Sequence, residues 1–164
     1  MRVISNTSPI TNLAAVGHLD LLHVLYDQII IASDVRDELV LGGNGNNPGS
    51  DVVTTASWFH IEYVDPFARD QLAHQFPALD LGEAATLALA VAQPPHLILL
   101  DDHAARHAAA SLTLPYVGIV GVLLVAKARG VVLLVKPILD DLRVQAGFRL
   151  ADHVYQQALQ RAGE

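Results

Sequence analysis

The chain has no cysteine among its 164 residues, which excludes both a disulfide framework and a thiolate metal site and suits a reducing compartment. Aromatic residues make up only 5%, too few to furnish a base-stacking platform for single strands. Bases are scarce as well, 10 against 17 acids for a formal net charge of −7, so the molecule is not one coated in positive charge. Uninterrupted apolar runs are short. The most apolar late stretch, Val117 to Val135, is broken by Lys127, Arg129 and Gly130, whereas a membrane span needs about 20 mostly apolar residues. The opening Met1-Arg2-Val3-Ile4-Ser5-Asn6 lacks the apolar core of an export signal. We therefore expect a cytoplasmic protein that makes no use of a membrane.

What is present is a large apolar fraction, 52%, enough for a sizeable core and incompatible with a disordered chain. The length suits one domain spanning 1–164, because two would each be small and hard to stabilise. Charge is segregated along it. Residues 1–105 hold 13 acids and 3 bases, while residues 106–164 hold 7 bases and 4 acids. Such a split suits a cation-binding pole beside a surface that tolerates phosphates, and equally suits solvated helix faces.

Short apolar runs alternate with helical patterns. Strands are expected at Arg2–Ser5, Gln28–Ala32, Trp58–Val64, His96–Leu100 and Pro115–Val117. Between them the spacing predicts helices, the first with Ser8 as N-cap and Pro9 at its first position. The strongest opens at Asp80 and ends before Pro94-Pro95. Gly42–Ser50, with four glycines, three asparagines and a proline, reads as a loop. The alternation indicates an α/β domain with a mainly parallel sheet covered on both faces.

In such sheets ligands bind beyond the carboxyl ends of the strands. Three strand exits carry polar groups: Asn6-Thr7-Ser8, then Asp34, Asp37 and Glu38, and finally Asp101-Asp102. The helix at Asp80 adds Glu83. Carboxylates and an amide gathered at one sheet edge repel one another unless a cation sits among them, and an all-oxygen donor set favours Mg2+ or Mn2+. Each residue also has an ordinary reading. Asp80 and Glu83 have the spacing of a capping box, Asp102 can cap the helix after it, Asn6 can serve the turn before Pro9, and Glu38 can be solvated. Other chemistries have less support. There is no GxxxxGK[ST] loop, no GxGxxG after the first strand and no GxSxG elbow. His103 and His107 share a helix face, but Ala104 stands where HExxH requires glutamate, so they read as a solvated face.

Taken together, V-I-S-N-T-S-P-I at the start, L-D-L-L-H-V-L-Y, the glutamate of V-R-D-E-L, L-D-L-G-E-A-A-T-L-A-L-A at 79–90, L-I-L-L-D-D-H-A-A-R at 97–106, P-Y-V-G-I-V-G-V-L-L-V-A-K at 115–127 and G-F-R-L-A-D-H-V-Y at 147–155 resemble a PIN-domain protein, in particular a PIN-like subfamily of unknown function. The resemblance runs from about residue 3 to 160. It implies a three-layer α/β/α fold similar to that of Mg2+-dependent nucleases, and an activity like that of VapC-type toxins of toxin–antitoxin pairs, which cleave RNA. By position it implies an acidic ring of Asn6, Glu38, Glu83 and the pair Asp101/Asp102, supported by Thr7 and Ser8, with Arg106 contacting phosphate or bracing the carboxylates. A small antitoxin partner and a homodimer are implied in the same way. Asn6 departs from the aspartate usual at the first position; it can ligate Mg2+ but brings no charge. The expectation is metal-assisted hydrolysis of RNA, with Lys127 and Arg129 helping Arg106 to steer the backbone. The alternative is a catalytically weak PIN-like module that acts through a partner protein or dimer.

Overall fold

The computed structural model describes every residue from Met1 to Glu164. Five strands form its centre: β1 (Val3–Ser5), β2 (Ile29–Ala32), β3 (Phe59–Glu62), β4 (Leu97–Leu99) and β5 (Tyr116–Val117). All neighbours pair in parallel, in the order β3-β2-β1-β4-β5. Ten α-helices surround them: α1 (Thr7–Ala15), α2 (Asp20–Tyr26), α3 (Ser33–Leu41), α4 (Ser50–Thr55), α5 (Pro66–Gln75), α6 (Leu81–Ala92), α7 (His103–Ser111), α8 (Ile119–Ala128), α9 (Lys136–Val144) and α10 (Asp152–Ala162). The architecture is the three-layer α/β/α sandwich the sequence implies. No helix is long and apolar enough to cross a membrane.

Strands β1, β2 and β4 are largely buried on both faces, as parallel strands between helical layers must be, while the edge strand β3 exposes His60 and Ile61. Val3, Ile4, Ile98, Leu99 and Leu100 are fully enclosed within a core cluster of 42 residues. Helix α6 is buried from Gly82 to Ala90 and packs on α3, α5, α7, β1 and β2. Its alanines let it approach the sheet closely. Helix α8 packs against α10, and α1 against α9.

Two local expectations shift. Helix α1 starts at Thr7 with Asn6, not Ser8, at the N-cap. Pro9 therefore sits in the third helical position, which is equally tolerant because the first N–H groups of a helix have no partner within it. In the Gly42–Ser50 loop, Gly42–Gly45 winds into a 3-10 turn in which Gly43 and Asn44 adopt left-handed backbone (φ 59 and 57). Glycine and asparagine are the residues that accept that conformation.

The strand order reverses across β1, whose two neighbours are β2 and β4. Doubly wound sheets open a crevice at such a point, beyond the carboxyl ends of the strands. Ser5 pairs with Leu99, and the Asn6 N–H continues the ladder to the Leu99 carbonyl at 3.2 Å. Asn6 and Asp101 thus leave adjacent strands side by side.

Candidate active site

Asn6 is the N-cap of α1 by backbone conformation, yet its side chain makes no capping bond. It is only 3% exposed, and its Oδ1 is buried without a hydrogen-bond partner. Asparagine caps helices readily, and a buried polar atom left unpaired costs free energy. An amide oxygen left free at this depth is available to a ligand.

Asp101 has the same character. Its Oδ1 accepts the Ile119 N–H at 2.9 Å, at the start of α8, while its Oδ2 is buried and unpartnered. Burial pushes its pKa up to about 6, against the opposing pull of the Ile119 N–H and the Arg106 charge. Gly118 makes this arrangement possible: a Cβ there would stand 2.6 Å from Asp101 Oδ1. Asp102, one residue on, is exposed and caps α7 by accepting the Ala105 N–H at 3.1 Å. The aspartate pair thus divides into an inner and an outer carboxylate.

Glu83 belongs to a reciprocal capping box. Asp80 accepts the Glu83 N–H at 2.8 Å, and Glu83 accepts the Asp80 N–H at 2.9 Å. The ordinary reading of that spacing is therefore realised, but it does not exhaust the residue. Glu83 is 6% exposed, and its pKa rises to about 7 because burial, with the neighbouring Asp80 and Asp102 charges, outweighs the capping bond. Asp80 is the other half of that box, and Asp102 is the neighbouring carboxylate for which the cap does not account.

Glu38, on α3, accepts the Thr7 hydroxyl at 2.8 Å. Burial raises its pKa, opposed by that bond and reinforced by Asp80. Gly82 is the counterpart of Gly118: a Cβ there would meet Glu38 Oε2 at 2.4 Å. Ser8 is different. Its carbonyl accepts the Thr11 hydroxyl, and no bond of its own hydroxyl ties it to the carboxylates. Asp34 is held by Arg69 at 2.7 Å. Arg106 lies on exposed α7 surface with its guanidinium 5.4 Å from the Tyr116 ring centre.

The expected bases need correcting. Lys127 is ion-paired with Glu164 at 3.1 Å and also bonds the Leu133 carbonyl. Arg129 donates to the Leu25 carbonyl at 3.0 Å. Both are engaged in holding the fold together and are not available to steer a backbone. In their place stand Arg149 and Arg161, which share a cavity with Asp101 and Arg106. Sequence reasoning also missed Asp80 as a charge beside both Glu38 and Glu83, and missed Gly82 and Gly118, whose only signal was their place beside Glu83 and before α8.

The donor set suits a hard divalent cation in kind: oxygen donors throughout, two of them buried and unbonded, and carboxylates whose pKa values are raised chiefly by burial, with Asp80 adding to it at Glu38 and Glu83. In arrangement it is looser. No three carboxylate or histidine side chains converge as a ready-made metal cluster, since Asp80 and Asp102 turn to helix N–H groups and Glu38 to Thr7. His103 and His107 are both exposed.

The chain is thus a parallel α/β/α sandwich with acids near its switch point, an architecture that hosts many chemistries. The family model for the PIN domain matches residues 2–164, and the chain belongs to that family. Among curated proteins no match is found.

Proposed function

We propose that this protein is a Mg2+- or Mn2+-dependent ribonuclease of the VapC type, built as one domain. The observation that carries the reading is the pair of buried, unpartnered oxygens, Asn6 Oδ1 and Asp101 Oδ2, at the exits of adjacent strands. Glu83 and Asp101 would hold the cation, with Asn6 and Glu38 completing its shell directly or through water. A bound divalent ion would supply charge stabilisation at the phosphoryl oxygens and a more acidic water for in-line attack. The remaining chemistry belongs to the side chains. Thr7 fixes the direction of Glu38 through its hydroxyl, Asp80 fixes Glu83 through the capping box, and the Ile119 N–H fixes Asp101. Asp102 adds charge beside Glu83. In hydrolysis the water oxygen bonds to phosphorus and the bond to the leaving ribose oxygen breaks. Glu83, with a pKa of about 7, can hold a proton at neutral pH when no cation is bound.

RNA cleavage with and without Mg2+ tests this. Glu83→Gln and Asp101→Asn should abolish Mg2+-dependent cleavage while leaving the chain folded by circular dichroism. Unchanged cleavage in both would sink the assignment.

One observation favours a second reading, a catalytically weak binding module. Asn6 brings no charge, and the carboxylates do not converge. Mg2+ titration by calorimetry discriminates. Millimolar or tighter binding that disappears in Glu83→Gln supports the enzyme, and no binding supports the module. A homodimer, a small antitoxin-like partner and a cytoplasmic location belong to the same proposal, carried only by the likeness to toxin–antitoxin members.

A further inference from the structure

Charge pairing sorts the bases of this chain. Six of the ten, namely Arg2, Arg36, Arg69, Lys127, Lys136 and Arg143, form ion pairs with acids. Arg129 is tied to the Leu25 carbonyl. Arg106, Arg149 and Arg161 remain, and all three line one cavity of about 480 Å3 between α7, the start of α8 and α10. Three guanidiniums outside every ion pair share this concavity with a single carboxylate, Asp101, an excess of positive charge that suits an anion.

Three further features specify the anion. Asp101, with its unpartnered Oδ2, forms part of the same wall, so the cavity borders one carboxylate of the site. Tyr116 and Phe148 contribute ring surface, with Arg106 lying over Tyr116. The volume falls within the roughly 300–1,000 Å3 of small-molecule sites, room for a nucleotide but not for a folded partner. On the other side of the site, Glu38 and Asp80 line a second depression together with Asp34 and Asp37, which are ion-paired with Arg69 and Arg36. The site is therefore polarised: one flank carries three arginines outside every ion pair, and the other carries Glu38 and Asp80 with no unpaired base.

We propose that the arginine cavity is the nucleotide subsite of single-stranded RNA. Arg106, Arg149 and Arg161 take its phosphates and Tyr116 and Phe148 flank its base or ribose, so the RNA is held on the α8–α10 flank of the carboxylates and not on the Glu38–Asp80 flank. This rests on the ribonuclease reading and adds to it the direction from which the substrate is held.

The test is fluorescence anisotropy of a labelled single-stranded RNA decamer on the full chain, in EDTA and at low salt so that binding is read without cleavage. Arg149→Gln and Arg161→Gln should each weaken binding about tenfold, the loss of one charge-assisted contact. The slope of log affinity against log salt should fall by about 0.7 per arginine removed. Arg36→Gln, which removes a base from the acidic flank, should leave binding unchanged. A nucleoside monophosphate should compete better than inorganic phosphate. Both arginine side chains are exposed and outside every ion pair, so denaturation midpoints should not move. Wild-type affinity in both variants, or an equal loss in Arg36→Gln, overturns the subsite. Competition by inorganic phosphate equal to that of the nucleotide reduces it to an anion site and overturns the nucleotide assignment. The two proposals fail separately. Lost RNA binding in the arginine variants with cleavage untouched in Glu83→Gln would retain the subsite and remove the carboxylate chemistry, and the reverse pattern would do the opposite.

Discussion

Glu83→Gln separates a cap from a functional carboxylate by the sign of a stability change. Glu83 has a pKa of about 7 where an ordinary glutamate has 4.5. Because the folded value lies above the unfolded one, the native chain binds more protons between those two pH values, and stability falls as pH rises through that window. At about 1.4 kcal/mol per pH unit the full difference corresponds to about 3 kcal/mol at pH 8. Solvent and relaxation reduce it, so about 1–3 kcal/mol is expected. Glutamine cannot ionise, and its carbonyl can still accept the Asp80 N–H that completes the capping box. The variant should therefore be more stable than the parent by about 1–3 kcal/mol at pH 8 in EDTA, and the two should converge near pH 4. Urea denaturation at both pH values measures this. Saturating Mg2+ should raise the midpoint of the parent and leave that of the variant unmoved, since a ligand stabilises only the state that binds it. A variant less stable than the parent at pH 8 would refute the reasoning and reduce Glu83 to its helix cap.

Two further substitutions probe the same centre. Asn6→Asp puts a charge where a neutral oxygen is 3% exposed and unbonded. It should lower stability in EDTA by about 1–3 kcal/mol and tighten Mg2+ several-fold by calorimetry, raising cleavage with it. Gly82→Ala should lift α6 stability by up to about 1 kcal/mol through helix propensity, yet weaken Mg2+ binding. Its Cβ would stand 2.4 Å from Glu38 Oε2, so the flexible glutamate must move; thermal melts and Mg2+ titration on one sample read both effects.

The local parts of this fold were legible because they are written in local chemistry. Short buried strands such as Val3–Ser5 and Leu97–Leu99 run straight into helix N-termini, and the Asp80–Glu83 box appears at its sequence spacing. The position of α1 was misjudged by two residues because Pro9 satisfies any site in a first helical turn. Lys127 and Arg129 were misjudged for a different reason. A base in a mildly basic segment looks free until its partner is known, and here the partners are Glu164 and Leu25, distant in sequence.

By itself, the sequence determined the kind of protein this is. Its composition and its alternating strands and helices gave an α/β domain with acids and an amide at the strand exits, and the resemblance of its motifs, L-D-L-G-E-A-A-T-L-A-L-A and L-I-L-L-D-D-H-A-A-R among them, marked a PIN-like domain. Only the tertiary structure decided what each charge does. It separated half-buried Asp101, with its enclosed Oδ2, from exposed Asp102, set Gly82 and Gly118 against carboxylates, and gathered three unpaired arginines into one cavity. Strand and helix formation depends on neighbours a few residues away and is encoded by periodicity. Whether a charge is paired, buried or free depends on groups brought together across the fold, and no local pattern records that.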